Sequence, residues 1–157
     1  KLIPKVKPDA LQSYANAIDD KFVANGSPTS DLMKEYGISF FAFGPVAQGL
    51  LLGKYSKANP PSFEPGDHRM NSKRFSPENL ERLEPKIAAL KEKFGGSVEE
   101  LSRAALQYLL YYKVVGAVIP GFRNQQQVEK NLALADSPLT DEEFRFINNL
   151  FADIDTY

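Results

Sequence analysis

The chain has 157 residues, a formal net charge of -1, 43% hydrophobic and 25% charged residues, and no cysteine. This length suits one domain, or part of a larger one, with a real core, and the near-average composition excludes disorder and low complexity. The balanced charge excludes general nucleic-acid binding, and the lack of cysteine excludes disulfides, thiolate metal sites and a cysteine nucleophile.

The sequence carries no membrane or export signal. No apolar run approaches the ~20 residues that a membrane-spanning helix needs, and the amino end lacks the apolar core of a signal peptide. We therefore expect a soluble chain without a membrane partner, and the absence of cysteine suits the cytoplasm.

Three apolar segments are candidate strands. The first is Tyr14–Ile18, which is short, and the second is Ile38–Phe43, which lies between two glycines. The third, Val114–Ile119, also ends at a Gly/Pro turn. The last two lack strict alternation of apolar and polar residues, as expected for strands covered on both faces, and they predict a parallel sheet.

Helices are predicted between and after these strands. Residues 28–36 precede Gly37, a suitable left-handed stop. Ser76 caps the next helix, which has Pro77 at its first position and which Pro85 is predicted to kink or split.

Two capping boxes predict further helix starts. Ser97 with Glu100 opens one helix, and Thr140 with Glu143 opens another. Apolar residues recur at helical spacing in the second and mark a packing face: Phe144, Ile147, Leu150 and Phe151.

Residues 56–75 are rich in Pro, Gly, Ser and charge and have no periodicity, so they predict a long surface loop. Such a loop is either a functional lid or a plain insertion. It contains His68, the single histidine, which alone makes neither a catalytic triad nor a metal site. We therefore predict no metal.

The alternation of helices and strands indicates an α/β fold. A (β/α)₈ barrel needs ~250 residues, so this chain has room for about half of one. Two or three parallel strands alone would leave long unpaired edges. The sheet is either completed elsewhere or belongs to an unusual small fold.

The segment after the third strand, Pro120-Gly121-Phe122-Arg123, leads into a helix that begins near Asn124. A helix amino end favours phosphate, and Arg123 adds a forked cation. Gln127 and Asn131 follow on the same helical face, with amides suited to an adenine edge. A solvated, capped helix face explains the same residues without a ligand.

The segment after the second strand has glycines at positions 44, 49 and 53 around apolar residues. Its backbone could approach a diphosphate closely. A simple connection whose glycines only turn the chain is the alternative.

Together the stretches "GISFFAFGPVAQGLLLGKY", "RFSPENL", "VIPGFRNQQQVEKNLALAD" and "LTDEEF" resemble the carboxy-terminal half of an aldo-keto reductase. The resemblance covers most of residues 31–151, matches residues 1–26 poorly, and makes "YANAID" a candidate for the sixth barrel strand. It implies that residues 1–157 form one domain. Its fold would be a partial (β/α)₈ TIM barrel, with roughly the last three β/α units plus a carboxy-terminal helix.

The resemblance also implies NADP(H) as the cofactor. Arg123 would hold the adenosine 2′-phosphate, Gln127 and Asn131 would contact adenine, and Phe43 would stack on the nicotinamide. Four residues would wrap the pyrophosphate, mainly through their backbone: Val46, Gln48, Gly49 and Leu50. Lys54 would approach a phosphate, and Gly44 and Gly121 are implied as further cofactor contacts.

Two departures from the family affect the expected activity. Gly44 stands where many relatives carry serine, and the catalytic Asp, Tyr, Lys and His of the family precede the matched region, so we assign no catalytic residue. We expect an NADPH-dependent reductase of small carbonyl substrates when another half or chain completes it, inactive alone. The alternatives are a non-catalytic nucleotide-binding or regulatory half-barrel and an oligomerising fragment.

Overall fold

The computed structural model describes residues 2–133 and 135–154. Helix α1 (Ile3–Val6) precedes strand β1 (Ala10–Tyr14), helix α2 (Pro28–Tyr36) and strand β2 (Ser39–Phe43). Three 3₁₀ helices follow, at Ala47–Leu52, His68–Asn71 and Lys73–Phe75, and then helices α3 (Pro77–Phe94) and α4 (Val98–Leu110). Strand β3 (Val115–Ile119) and helices α5 (Gln125–Leu132) and α6 (Asp141–Phe151) come last.

The three strands form one parallel sheet in the order β1-β2-β3. Tyr14 of β1 lies opposite Phe43 of β2, and Phe43 lies opposite Ile119 of β3. The β2–β3 pairing contains one irregularity, because Gly116 is an extra residue between the partners of two consecutive β2 residues. The carboxyl ends of all three strands therefore meet at one edge of the sheet.

Neighbouring residues of β2 show that the two faces of the sheet differ. Phe40 and Ala42 are 1% and 0% exposed and belong to the core between sheet and helices. Phe41 and Phe43 are on the other face and are 37% and 41% exposed. The expectation that both faces are covered is therefore wrong for the described residues, whose helices cover one face.

Strand β1 lies four residues earlier than predicted. The predicted strand at 14–18 shares Tyr14 with β1, and the chain then turns at Asn16. The Asn16 Oδ1 atom accepts hydrogen bonds from the N–H groups of Ile18 and Asp19 at 3.0 and 3.2 Å. Ala15 is fully buried. The apolar character of this stretch thus reflects a buried turn, which asparagine favours.

The predicted helix starts are confirmed, and both capping boxes are complete. Helix α2 ends at Gly37, which has φ 66°. Helix α3 continues through Pro85 as one helix, so the predicted split is wrong. Pro85 is exposed, while Leu83 and Ile87 on either side are buried and keep α3 on the core. Across residues 2–133 and 135–154, no helix combines the length and apolar character needed to cross a membrane.

Residues 56–75 lie on the surface and contain the two short 3₁₀ helices at 68–71 and 73–75. Phe63 packs edge-on against the buried Phe75, with ring centroids 5.0 Å apart. Arg69 lies over the Phe63 ring and forms a two-pronged ion pair with Asp67. The hydrogen bond from Arg69 holds the pKa of the Asp67 carboxyl well below its usual range. His68 is 83% exposed, as expected for a solvated loop residue.

Candidate functional site

The candidate site lies at the carboxyl ends of β2 and β3. Phe43 and Ile119, the last residues of these strands, are paired neighbours. Residues 44–53 and 120–124 therefore leave the sheet side by side. In open α/β sheets this is the edge at which ligands bind.

The amino end of α5 is capped by side chains on both sides of its start. The Asn124 Oδ1 atom accepts from the Gln127 N–H at 3.0 Å, and the Gln127 Oε1 atom accepts from the Arg123 N–H at 2.7 Å. The N–H groups of Gln125 and Gln126 make no hydrogen bond within the described part of the chain. This helix end therefore keeps two donors for a ligand.

Arg123 is exposed and immediately precedes the cap of α5. Within the described ranges its guanidinium has no ion-pair or hydrogen-bond partner. A forked cation beside two unpaired helix N–H groups is suited to a phosphate monoester. Gly121 is also exposed, and a Cβ atom added at this position would lie more than 4 Å from any surrounding atom.

Gln127 and Asn131 occupy different environments. Gln127 is half-buried near the amino end of α5, where its side chain is part of the cap. Asn131 is 8% exposed, and its Oδ1 atom accepts from the hydroxyl of the buried Ser102 at 3.2 Å. Asn131 thus packs towards α4, and the predicted contact of both amides with adenine stays a prediction.

The segment after β2 has an unusual backbone. Ala47, Gln48 and Gly49 have φ values of 49°, 57° and 98°, three left-handed residues in a row. For residues other than glycine this region costs about 1–2 kcal/mol each. Such strain is typical of ligand-binding segments, where surrounding contacts impose it.

The predicted diphosphate contacts differ in accessibility. Gly49 donates its N–H to the Val46 carbonyl at 2.9 Å, so this group is already paired. The Leu50 side chain is 4% exposed and belongs to the core, whereas Val46 and Gln48 are half-buried. Any contact of this segment with a ligand would therefore use Gln48 and the local backbone.

Lys54 is exposed and lines a groove of about 320 Å³ between residues 53–59 and helix α3. Glu84 and Lys91 of α3 line the same groove. The Lys91 Nζ atom donates to the Gly53 carbonyl at 3.1 Å. Lys54 therefore borders α3, and its predicted approach to a phosphate stays a prediction.

The sequence alone did not reveal an aromatic cluster beside Phe43. The ring of Tyr14 lies edge-on to Phe43, with centroids 5.8 Å apart, and Arg74 lies 4.3 Å above the Tyr14 ring. Gly44 follows Phe43 with φ 73°. No local sequence motif marks Tyr14 or Arg74, so this cluster is visible only in the fold.

Two buried tyrosines form a separate network. The hydroxyls of Tyr108 and Tyr112 donate to Oδ2 of Asp20 at 2.7 and 2.6 Å. Burial, reinforced by this carboxylate, raises the pKa of both phenols above their ordinary value. A phenol that keeps its proton so firmly is poorly suited to donate it in catalysis. Tyr157 lies outside the described residues.

The family model "Aldo/keto reductase family" matches residues 2–151. The matched range begins upstream of the four motifs and includes residues 2–26. The chain is 30% identical over 117 residues to aldo-keto reductase str7 of Strobilurus tenacellus, covering 74% of this chain and 34% of that protein. It is 27% identical over 144 residues to human aldo-keto reductase family 7 member A3, covering 83% of this chain and 43% of that protein.

Solved structures agree with the half-barrel architecture. A glycerol dehydrogenase from Gluconobacter oxydans superposes with a TM-score of 0.71 at 24% identity, over 92% of this chain and 42% of that one. The holo form of an aldo-keto reductase from Bacillus halodurans superposes with a TM-score of 0.60 at 25% identity, over 95% of this chain and 44% of that one. The chain spans less than half the length of these relatives, and its three parallel strands with their helices are a partial TIM barrel.

Proposed function

Because this chain belongs to the aldo/keto reductase family, we propose that it is the NADP(H)-binding part of an oxidoreductase that reduces carbonyls to alcohols. Members of this family use nicotinamide cofactors. The observation that carries the proposal is Arg123, exposed and without a protein partner among the described residues, at the start of α5.

The amino end of α5 fits the 2′-phosphate of NADP(H). Arg123 offers a permanent forked cation, and Gln125 and Gln126 offer unpaired N–H groups. A phosphate monoester accepts several such hydrogen bonds, and the helix dipole adds favourable potential. NAD(H) lacks this phosphate, so these groups favour the phosphorylated cofactor.

The nicotinamide end of the cofactor would lie at Phe43. This ring ends β2 on the uncovered face of the sheet and is 41% exposed. Aromatic rings attract each other in offset or edge-to-face arrangements, so Phe43 would position the nicotinamide by stacking. The bound cofactor supplies the hydride.

Between these two ends, residues 46–50 would follow the diphosphate. The left-handed backbone at Ala47, Gln48 and Gly49 supports this role, since successive N–H groups in such turns can form an anion-binding concavity. The Gly49 N–H is paired with Val46, so the Gln48 side chain is the better donor here. Lys54 would add a positive charge only if the phosphates extend towards α3.

The carbonyl substrate and its proton donor would come from outside the described sheet. Carbonyl reduction requires an acid beside the hydride, and the phenols of Tyr108 and Tyr112 are committed to Asp20. Strands β1 and β3 are the edges of the three-stranded sheet. Further parallel strands, on the same polypeptide or on a second chain, would complete the barrel and supply the catalytic groups.

A nucleotide-binding or regulatory half-barrel without turnover is the second candidate. The hydrogen bonds that hold the Tyr108 and Tyr112 phenols on Asp20, and so keep them from a catalytic role, favour it. An oligomerising fragment is the third candidate, favoured by the two sheet edges. Carbonyl-dependent oxidation of NADPH would support the oxidoreductase, and NADPH binding without turnover would support the non-catalytic half-barrel. A monodisperse monomer in light scattering would contradict the oligomerising fragment.

The test of cofactor choice is the substitution Arg123→Ala. Loss of a charged hydrogen bond costs about 1.5–3 kcal/mol, so NADPH should bind about 10- to 150-fold more weakly while NADH binding is unchanged. Isothermal titration calorimetry with both nucleotides measures the effect.

Lys113→Ala is the matched control, because Lys113 is an exposed cation just before the opposite end of β3. It should change neither dissociation constant. Equal weakening of NADPH and NADH in Arg123→Ala, or no binding of either by the unaltered chain, would contradict the proposal.

A further inference from the structure

Position 44 has no room for a side chain. A Cβ atom added to Gly44 would lie 2.4 Å from Cε2 and 2.6 Å from Cδ2 of Tyr14. Gly44 also has φ 73°, which side chains rarely adopt. The ring of Tyr14 therefore occupies the volume that a residue-44 side chain would need.

Tyr14 is held from two sides. As the last residue of β1 it pairs with Phe43, and its ring meets the Phe43 ring edge-on at 67°. The guanidinium of Arg74 lies over its face, 4.3 Å from the centroid. This arrangement combines a cation–π contact with an aromatic edge contact, and both restrict the orientation of the two rings.

We propose that Tyr14 is a positioning residue for the nicotinamide end of the site, an inference that rests on the proposed function. Tyr14 sets the plane of the Phe43 ring through their edge contact. Gly44 is then required because the Tyr14 ring fills the volume that a Cβ atom at position 44 would occupy.

The first test compares two ligands that share the adenosine end. NADPH contains the nicotinamide, whereas adenosine 2′,5′-bisphosphate contains only the phosphorylated adenosine. Tyr14→Ala should weaken NADPH about three- to tenfold, the usual contribution of one aromatic contact, and leave adenosine 2′,5′-bisphosphate unchanged. Tyr14→Phe, which keeps the ring, should bind NADPH within about twofold of the unaltered chain.

The outcomes separate the two proposals. If the unaltered chain binds neither ligand, the proposed function fails and this inference fails with it. If both ligands bind and Tyr14→Ala weakens neither, or weakens both equally, the positioning role alone is overturned.

A second test uses Gly44→Ala, which should displace the Tyr14 ring and weaken NADPH to a similar extent. In a Tyr14→Ala background the same change should have a smaller effect, because the clash is gone. Gly37→Ala is the control for backbone strain, since Gly37 has φ 66° but nothing within 4 Å of an added Cβ. Additive effects of the two changes at positions 14 and 44 would contradict the packing that the proposal requires.

Discussion

Asn131 has a predicted role in cofactor binding and an observed role in the packing of α5. From sequence it is predicted to contact adenine, because it follows Gln127 by four residues on α5. In the fold its Oδ1 atom accepts a hydrogen bond from Ser102, and both residues are buried. The buried hydrogen bond with Ser102 thus gives Asn131 a structural role, in joining α5 to α4.

At this position we predict a loss of stability. Asn131→Ala leaves the buried Ser102 hydroxyl without its acceptor, which costs about 1–3 kcal/mol of the free energy of unfolding. Urea denaturation measures this. Asn149→Ala is the control, because Asn149 is exposed on α6 and should change stability by less than about 0.5 kcal/mol. A similar value for both variants would contradict the buried hydrogen bond.

Residues differ in how well sequence predicts their surroundings. Arg123 and Gly44 were identified because a cation before a helix and a glycine after a strand are local features. The burial of Asn131 was not predicted, because its partner Ser102 is 29 residues away in the sequence. The ring of Tyr14 beside Gly44 is likewise a tertiary contact that no local pattern encodes.

At the scale of elements, helix starts were predictable and one strand was not. The capping box of α4 lies within four consecutive residues, Ser97 to Glu100, so its chemistry is visible in the sequence. Strand β1 is short, and its sequence ALQSY has mixed polarity, so the more apolar turn after it was mistaken for the strand. Burial of a turn and burial of a strand produce the same composition.

The capping box of α4 predicts a pH dependence. Hydrogen bonds from the Ser97 side chain and then its backbone lower the pKa of Glu100 below its ordinary range. A lowered folded-state pKa stabilises the fold above the unfolded pKa of ~4.3 and loses that effect as pH falls through the folded pKa. Glu100→Gln should therefore lower the thermal midpoint at pH 7, and the difference should shrink below about pH 4.

Circular dichroism melts of Glu100→Gln and of the unaltered chain, from pH 7 to pH 3, measure this difference in thermal midpoint. Glu64→Gln provides the comparison, because Glu64 is an exposed loop carboxylate without a side-chain hydrogen bond among the described residues. A difference between Glu100→Gln and the unaltered chain that is constant over this range would show that the charge of Glu100 does not strengthen the cap.

At the scale of the whole molecule, the sheet has one covered and one open face. Helices pack on Phe40 and Ala42, whereas Phe41 and Phe43 face away from them. In a complete barrel the open face would be the interior, packed by the remaining strands. The sequence predicted the parallel sheet and the need for completion, but not that β2 alternates so clearly.

The two adjacent phenylalanines predict how the isolated chain behaves. Phe40→Ala should destabilise the fold by about 3–5 kcal/mol, because the residue is fully packed. Phe41→Ala should cost less than about 1.5 kcal/mol, because over a third of that residue is already exposed. Guanidinium denaturation at low protein concentration measures both. Equal losses would mean that another chain covers the open face in solution.

The extra residue at Gly116 is absorbed by a bulge, which keeps the later residues of β3 paired one to one with β2. It lies between Val115 and Ala117, the partners of Phe40 and Phe41, and Ile119 still pairs with Phe43 and lies on the same face. Deleting Gly116 would make Val115 and Ala117 consecutive, as their partners Phe40 and Phe41 already are, so the pairing and the facing of residues 117–119 would be kept. Strand β3 thus contains one residue more than its pairing with β2 requires, and loss of that codon should leave the register in which the chain departs towards Arg123 unchanged.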